Sequence, residues 1–149
     1  MRPRFPSLFF ASLMASLLVR PVDGVELASV ERVPAEVIKV IDGDSIRVDA
    51  MPWPGFRVTT IVRLRGVDTP ELRGKCSAEK RMAQKARDFV QRQVASGPVV
   101  LTDIDQGKYA GRVVARVQTA DGADIGAALL KAGLAREYKG KARRSWCNG

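Results

Sequence analysis

Residues 64–72 read LRGVDTPEL, setting Asp68 and Glu71 on either side of a Thr69-Pro70 step and directly after Arg63. A third carboxylate, Asp44, stands in the stretch VIDGDSIRV at 40–48. The chain carries a net charge of +9. Acids gathered in so basic a chain would repel a polyanionic partner unless something positive stood between them, most simply a metal ion. Oxygen-only ligands suit hard cations, calcium or magnesium. There is no histidine, which removes Ser-His and Cys-His nucleophile pairs, imidazole bases and His-ligated zinc. In this reading Asp44 and Asp68 bind the cation. Pro70 biases Thr69 toward an extended backbone that turns its carbonyl to the same ion. Glu71 is left to orient or deprotonate a water. Arg63 and Arg112 are the complement, because a guanidinium fork matches two oxygens of a phosphodiester under attack and stays charged at any ordinary pH. Each piece alone has a plainer reading: a hairpin turn at 42–44, a helix cap and turn at 68–71, a solvated strand residue at 112.

The elements that must position these residues follow from periodicity. In PAEVIKVIDGDSIRVDAM, starting at residue 34, branched residues alternate on both sides of an Asp42-Gly43 turn signal, which predicts a hairpin with Asp44 at the start of its second strand. PWPG at 52–55 reads as a turn or loop, and FRVTTIVRLRGV as a third strand ending at the acidic motif. Their odd separation puts Arg63 and Asp68 on opposite faces of a regular strand. Gly66 is where a bulge or kink restores convergence. Met82, Ala86, Phe89, Val90 and Val94 fall at helical spacing behind a Ser77 cap, and Gly97-Pro98 stops that helix. VVLTDI and GRVVARVQT are two more strands, and a second helix is expected over 124–132 with Gly133 as its stop. Five short strands with a helix between the third and fourth predict an α+β fold, a five-stranded OB-type Greek-key barrel with two helices.

The chain is 149 residues long, 46% hydrophobic and 28% charged, the composition of one globular domain. Lys and Arg outnumber Asp and Glu by 25 to 16, which favours nucleic acid or another anionic surface as partner, solubility being the plainer use. Arg2 and Arg4 precede an apolar stretch over 5–19 that is shorter than the roughly 18 to 20 residues a spanning helix needs. Residues 1–24 therefore read as an export signal, 25–34 as a linker and 35–149 as a single domain, with an uncleaved membrane anchor as the competing reading. Export implies a secreted or periplasmic protein with no stable membrane association after cleavage. In an oxidising compartment an even pair of cysteines usually closes. A Cys76–Cys147 disulfide is expected, pinning the tail RRSWCNG at a gain of roughly 4 kcal/mol in the chain-entropy model. Tyr138 and the KGKARR run at 139–144, with Trp53 and Trp146, invite a nucleic-acid reading, since aromatics stack bases and cations track phosphates. A solvated tail and a packed indole are the alternatives.

Three stretches in order, VIDGDSIRV at 40–48, VRLRGVDTPE at 62–71 and KYAGRVVARV at 108–117, followed by ADGADIGAALLKAGLARE, resemble the staphylococcal-nuclease-like (thermonuclease) family over about residues 35–138. The resemblance implies the OB barrel and a calcium site of Asp44, Asp68 and the Thr69 carbonyl. It implies Glu71 as general base, Arg63 and Arg112 as phosphate-binding arginines, and Lys108 and Tyr109 as contacts to a terminal phosphate. The implied reaction is calcium-dependent hydrolysis of DNA and RNA leaving 3′-phosphate ends, with magnesium the less favoured cation. The sequence departs from the family pattern at Ser45, where threonine is commoner, at Ala110, an extra residue before Gly111-Arg112, and in a shorter loop after Glu71. No protein partner is evident, and a monomer is expected. The competing reading is an exported OB module that binds nucleic acid or another polyanion without cleaving it.

Overall fold

A computed structural model describes residues 32–147; the segment read as an export signal lies outside the described residues. Five strands close a barrel: β1 (Val33–Asp42), β2 (Ser45–Trp53), β3 (Phe56–Leu64), β5 (Val99–Gln106) and β6 (Arg112–Gln118), in the order β1-β2-β3-β6-β5 with β5 returning to β1. β3 and β6 pair in parallel, and the other barrel pairs are antiparallel. A parallel pair needs a long crossover, which here is α1 (Ser77–Val94) followed by β5. A second helix, α2 (Ile125–Lys131), follows β6. The structure thus has the α+β OB-type barrel anticipated from periodicity.

Alternation decides what fills it. Ile46, Val48, Val62, Leu64, Leu101 and Val117 turn inward and are buried, and α1 adds Ala83, Ala86 and Val90 while α2 adds Ile125 and Leu129. Asp124 caps α2 by accepting from the Ala127 amide at 2.8 Å. Among the described residues no helix is long and apolar enough to cross a membrane.

Four expectations need correction. The N-cap of α1 is Cys76, whose Sγ accepts from the Glu79 amide at 3.5 Å, so Ser77 is the first helical residue. β1 begins at Val33, and Val33 and Pro34 pair with Leu101 and Val100, so the barrel takes in residues assigned to a linker. β2 runs on through Pro52 and Trp53, leaving only Pro54-Gly55 for the turn. Two short strands, β4 (Val67–Asp68) and β7 (Arg136–Glu137), pair antiparallel beside the barrel; elements this short have no period to read. Gly66 lies between β3 and β4 with φ +78, the left-handed region that glycine enters at no steric cost. Of the bulge or kink expected there, the structure has the kink, a tight turn that re-aims the chain so that Arg63 and Asp68 meet.

Candidate functional site

Asp44 lies in the β1–β2 turn, 4% exposed. Its backbone carbonyl accepts from the Leu64 amide at 2.8 Å, locking the turn to the end of β3. Its Oδ1 accepts from Ser45 Oγ at 2.9 Å and pairs with Arg63 Nη1 at 2.5 Å, and its Oδ2 accepts from the Thr69 amide at 3.1 Å. The register that sets Ser45 opposite Arg63 brings this arginine beside the turn. Gly43 permits the packing beneath: a Cβ there would lie 2.7 Å from Ala86 Cβ and 3.0 Å from Thr69 Oγ1.

Asp68 ends β4, buried beside Thr69. Arg63 Nη2 reaches it at 3.6 Å, so one guanidinium spans Asp44 and Asp68. Asp68 Oδ2 accepts from the Trp146 indole at 3.2 Å. Asp68 Oδ1 lies 3.0 Å from Arg143 Nε, yet the two are not aligned for a hydrogen bond and this buried oxygen has no such partner among the described residues. Glu71 follows on the surface, its carboxylate paired with Arg143 Nη1. Its main chain is tied down, the carbonyl accepting from Gly74 at 2.8 Å and the amide donating to Glu79 Oε1 at 3.4 Å.

Arg112 opens β6 and donates from Nη2 to Ser45 Oγ at 3.2 Å, while its Nε is buried without a partner among the described residues. Arg63, Arg112, Lys108, Tyr109, Tyr138 and Arg143 line one groove of about 630 Å³. Tyr138 is held by its amide on the Gly66 carbonyl at 2.9 Å, with its ring 5.8 Å from the Arg63 guanidinium. Lys108 and Tyr109 are exposed, Lys108 Nζ standing 5.6 Å from the Tyr109 ring centroid, in the turn that contains Ala110. The structure therefore brings Asp44, Asp68, Thr69, Arg63 and Arg112 into one polar cluster with Glu71 at its edge, and leaves Lys108 and Tyr109 on the rim.

Several site residues had no readable signal. From sequence Asp42 reads as a turn residue. Burial first, and then the Asp44 charge, raise its carboxyl above the ordinary value; a Leu72 backbone hydrogen bond opposes them and Glu71 adds to them. Arg143 sits in the run read as a nucleic-acid contact, and it pairs instead with Asp68 and Glu71. Burial lowers its pKa, but the Glu71 hydrogen bond and the Asp68 charge outweigh that and leave it raised. Trp146 is buried, so its indole packs rather than stacking on a base, with Arg136 3.8 Å from its ring centroid. Cys147 is bonded to Cys76 as expected, at a Cα–Cα separation of 5.8 Å. Among the described residues the one grouping of three His, Cys, Asp or Glu donors within ligating range is Cys76, Glu79 and Cys147. Its sulfurs are consumed by the disulfide. Trp53, 63% exposed, stands at the β2–β3 hairpin, away from the site.

Barrel, groove and a buried acid–arginine cluster together define an OB-fold protein with a charged site at one end of its barrel. The family model described as staphylococcal nuclease homologue matches residues 61–146, more than half of the chain. The chain belongs to this family.

Proposed function

We propose that this protein is an exported, calcium-dependent nuclease that hydrolyses DNA and RNA phosphodiester bonds with little sequence specificity, leaving 3′-phosphate ends. The observation that carries the reading is the convergence of Asp44, Asp68, Arg63 and Arg112 at one end of the barrel, with Glu71 beside them. Export rests on the basic and apolar character of residues 1–24.

The donor set fits a hard cation. Asp44 and Asp68 are buried carboxylates, Asp68 Oδ1 lacks a directed hydrogen bond, and neither histidine nor free thiol competes for the ion. Asp44, Asp68 and the Thr69 carbonyl would hold it, and when bound it would supply positive charge against the negative charge developing on the phosphate oxygens. Arg63 and Arg112 bind the non-bridging oxygens, and the unpartnered Arg112 Nε is a donor awaiting such an acceptor. Glu71, exposed and carboxylate-bearing, orients a water in line with the P–O5′ bond and takes its proton. The water oxygen bonds to phosphorus, the 5′-oxygen leaves with the bond pair and is protonated, and the phosphate stays on the 3′ side. Specificity is low because the groove offers guanidinium, ammonium and aromatic groups, which read backbone and π-face rather than base edges.

The decisive experiment is digestion of single-stranded DNA by the purified protein with calcium, with magnesium and with chelator, beside Glu71→Gln. Cleavage that needs calcium and is lost in the variant supports the reading. Tight, salt-sensitive binding without cleavage under any metal would sink it and leave a non-catalytic binding module.

A further inference from the structure

Beyond the barrel and its groove, a third structure reaches the site: the C-terminal tail. Cys147 is bonded to Cys76, the N-cap of α1. Trp146 is buried with its indole N–H on Asp68 Oδ2 at 3.2 Å. Just before this anchor, Arg143 approaches Asp68 Oδ1 through Nε at 3.0 Å and pairs with Glu71 through Nη1. One guanidinium thus spans the two acids that the proposed chemistry needs free.

We infer that Arg143, delivered by the disulfide-closed tail, is a built-in counter-cation that holds Asp68 and Glu71 until a divalent cation displaces it, and so determines the cation affinity of the site. The inference rests on the reading of Asp44 and Asp68 as cation ligands. Asp68 Oδ1 already faces two guanidiniums, Arg63 Nη2 at 3.6 Å and Arg143 Nε at 3.0 Å, so a divalent ion would be a third positive group on that carboxylate, and in a partly buried site the repulsion is weakly screened. A divalent ion at Asp68 therefore binds only as the guanidinium leaves. Arg143 is free to leave: its side chain is 41% exposed, and it already lines the groove beside Arg63 and Arg112. Arg63 is not equivalent, being 13% exposed and fastened to Asp44 and to the Val67 carbonyl. The disulfide keeps Arg143 at high effective concentration, since an untethered tail would lose more chain entropy on docking.

The test is calcium affinity without nucleic acid, by titration calorimetry and by tryptophan emission in a Trp53→Phe background, on the full oxidised protein and four variants. Arg143→Gln is expected to tighten calcium binding about tenfold by removing the competing charge. Arg143→Lys should tighten it less, because an ammonium still competes but cannot span two carboxylates. Cys76→Ser/Cys147→Ser, which keeps a capping oxygen on α1, should also tighten it, and adding Arg143→Gln to that pair should gain little more. Unchanged or weaker affinity in Arg143→Gln overturns the inference alone, provided the wild type binds calcium. If neither binds calcium, the cation reading of the site falls and this inference falls with it.

Discussion

Two arginine–aspartate pairs sit at opposite ends of β3. At the hairpin end Arg57 Nη1 meets Asp49 Oδ2 at 2.8 Å, with side chains 50% and 24% exposed. At the other end Arg63 Nη1 meets Asp44 Oδ1 at 2.5 Å, with side chains 13% and 6% exposed. About 20 Å of strand separates the two arginines. The distances are similar and the surroundings are not. An exposed pair trades water for a partner and contributes about 0–1 kcal/mol. A buried pair must first be stripped of water, at a cost of several kcal/mol per ion that the attraction only partly offsets. A chain selected for stability alone would do as well with apolar residues at 44 and 63. The site end of the barrel is therefore organised around charge that the fold does not need, whereas the hairpin end carries charge that scarcely affects it.

The widest separation between the two ends is expected in turnover. Glu71→Gln should lose about a hundredfold or more of its single-strand cleavage, while Asp49→Asn should stay within about twofold, as surface changes usually do. Comparable losses in both, measured as kcat/KM, would erase the distinction. Stability comes next. Arg63→Ala strands Asp44 in a buried site and should cost about 3–5 kcal/mol in urea unfolding, against no resolvable change for Arg57→Ala, whose guanidinium lies in solvent. A smaller effect is expected from Cys76→Ser/Cys147→Ser: the bond closes a loop of sequence separation 71, and its loss should cost about 2–4 kcal/mol in thermal melts. The smallest change runs the other way. Asp42 is an acid whose burial and Asp44 neighbour disfavour ionisation, so Asp42→Asn should slightly raise the melting temperature of the calcium-free protein. A clear fall would mean that the ionised Asp42 is stabilised by a partner at the site end.

Much of the barrel was legible because period-two alternation and Asp-Gly turn signals are local. Ile46 and Val48 point inward because a pleated strand leaves them no other face, and α2 ends where Gly133 follows. The sequence points to Ser77 as the α1 cap because serine is a usual capping residue. The extended backbone at Cys76, bonded through its sulfur to the tail, gives that role to a disulfide sulfur instead. β4 and β7 escaped because two residues carry no period. The acids and arginines of the site were legible as types in a family order, and Gly66 marked the place where the chain must turn. Arg143, Trp146 and Asp42 were not legible as site residues. Their roles come from contacts across long stretches of sequence: Trp146 meets Asp68 only because the tail doubles back to Cys76.

The sequence by itself determined the five barrel strands and two helices in their chain order, the absence of imidazole chemistry and the set of carboxylates and guanidiniums available, since each depends on residue type and local spacing. Only the tertiary structure decided which charges share a partner. Arg63 spans Asp44 and Asp68 because a left-handed turn at Gly66 folds β4 back toward the β1–β2 turn. Arg143 reaches Asp68 and Glu71 because the disulfide returns the tail to them. Coulomb energy depends on distance and burial, and neither is a property of residues one at a time.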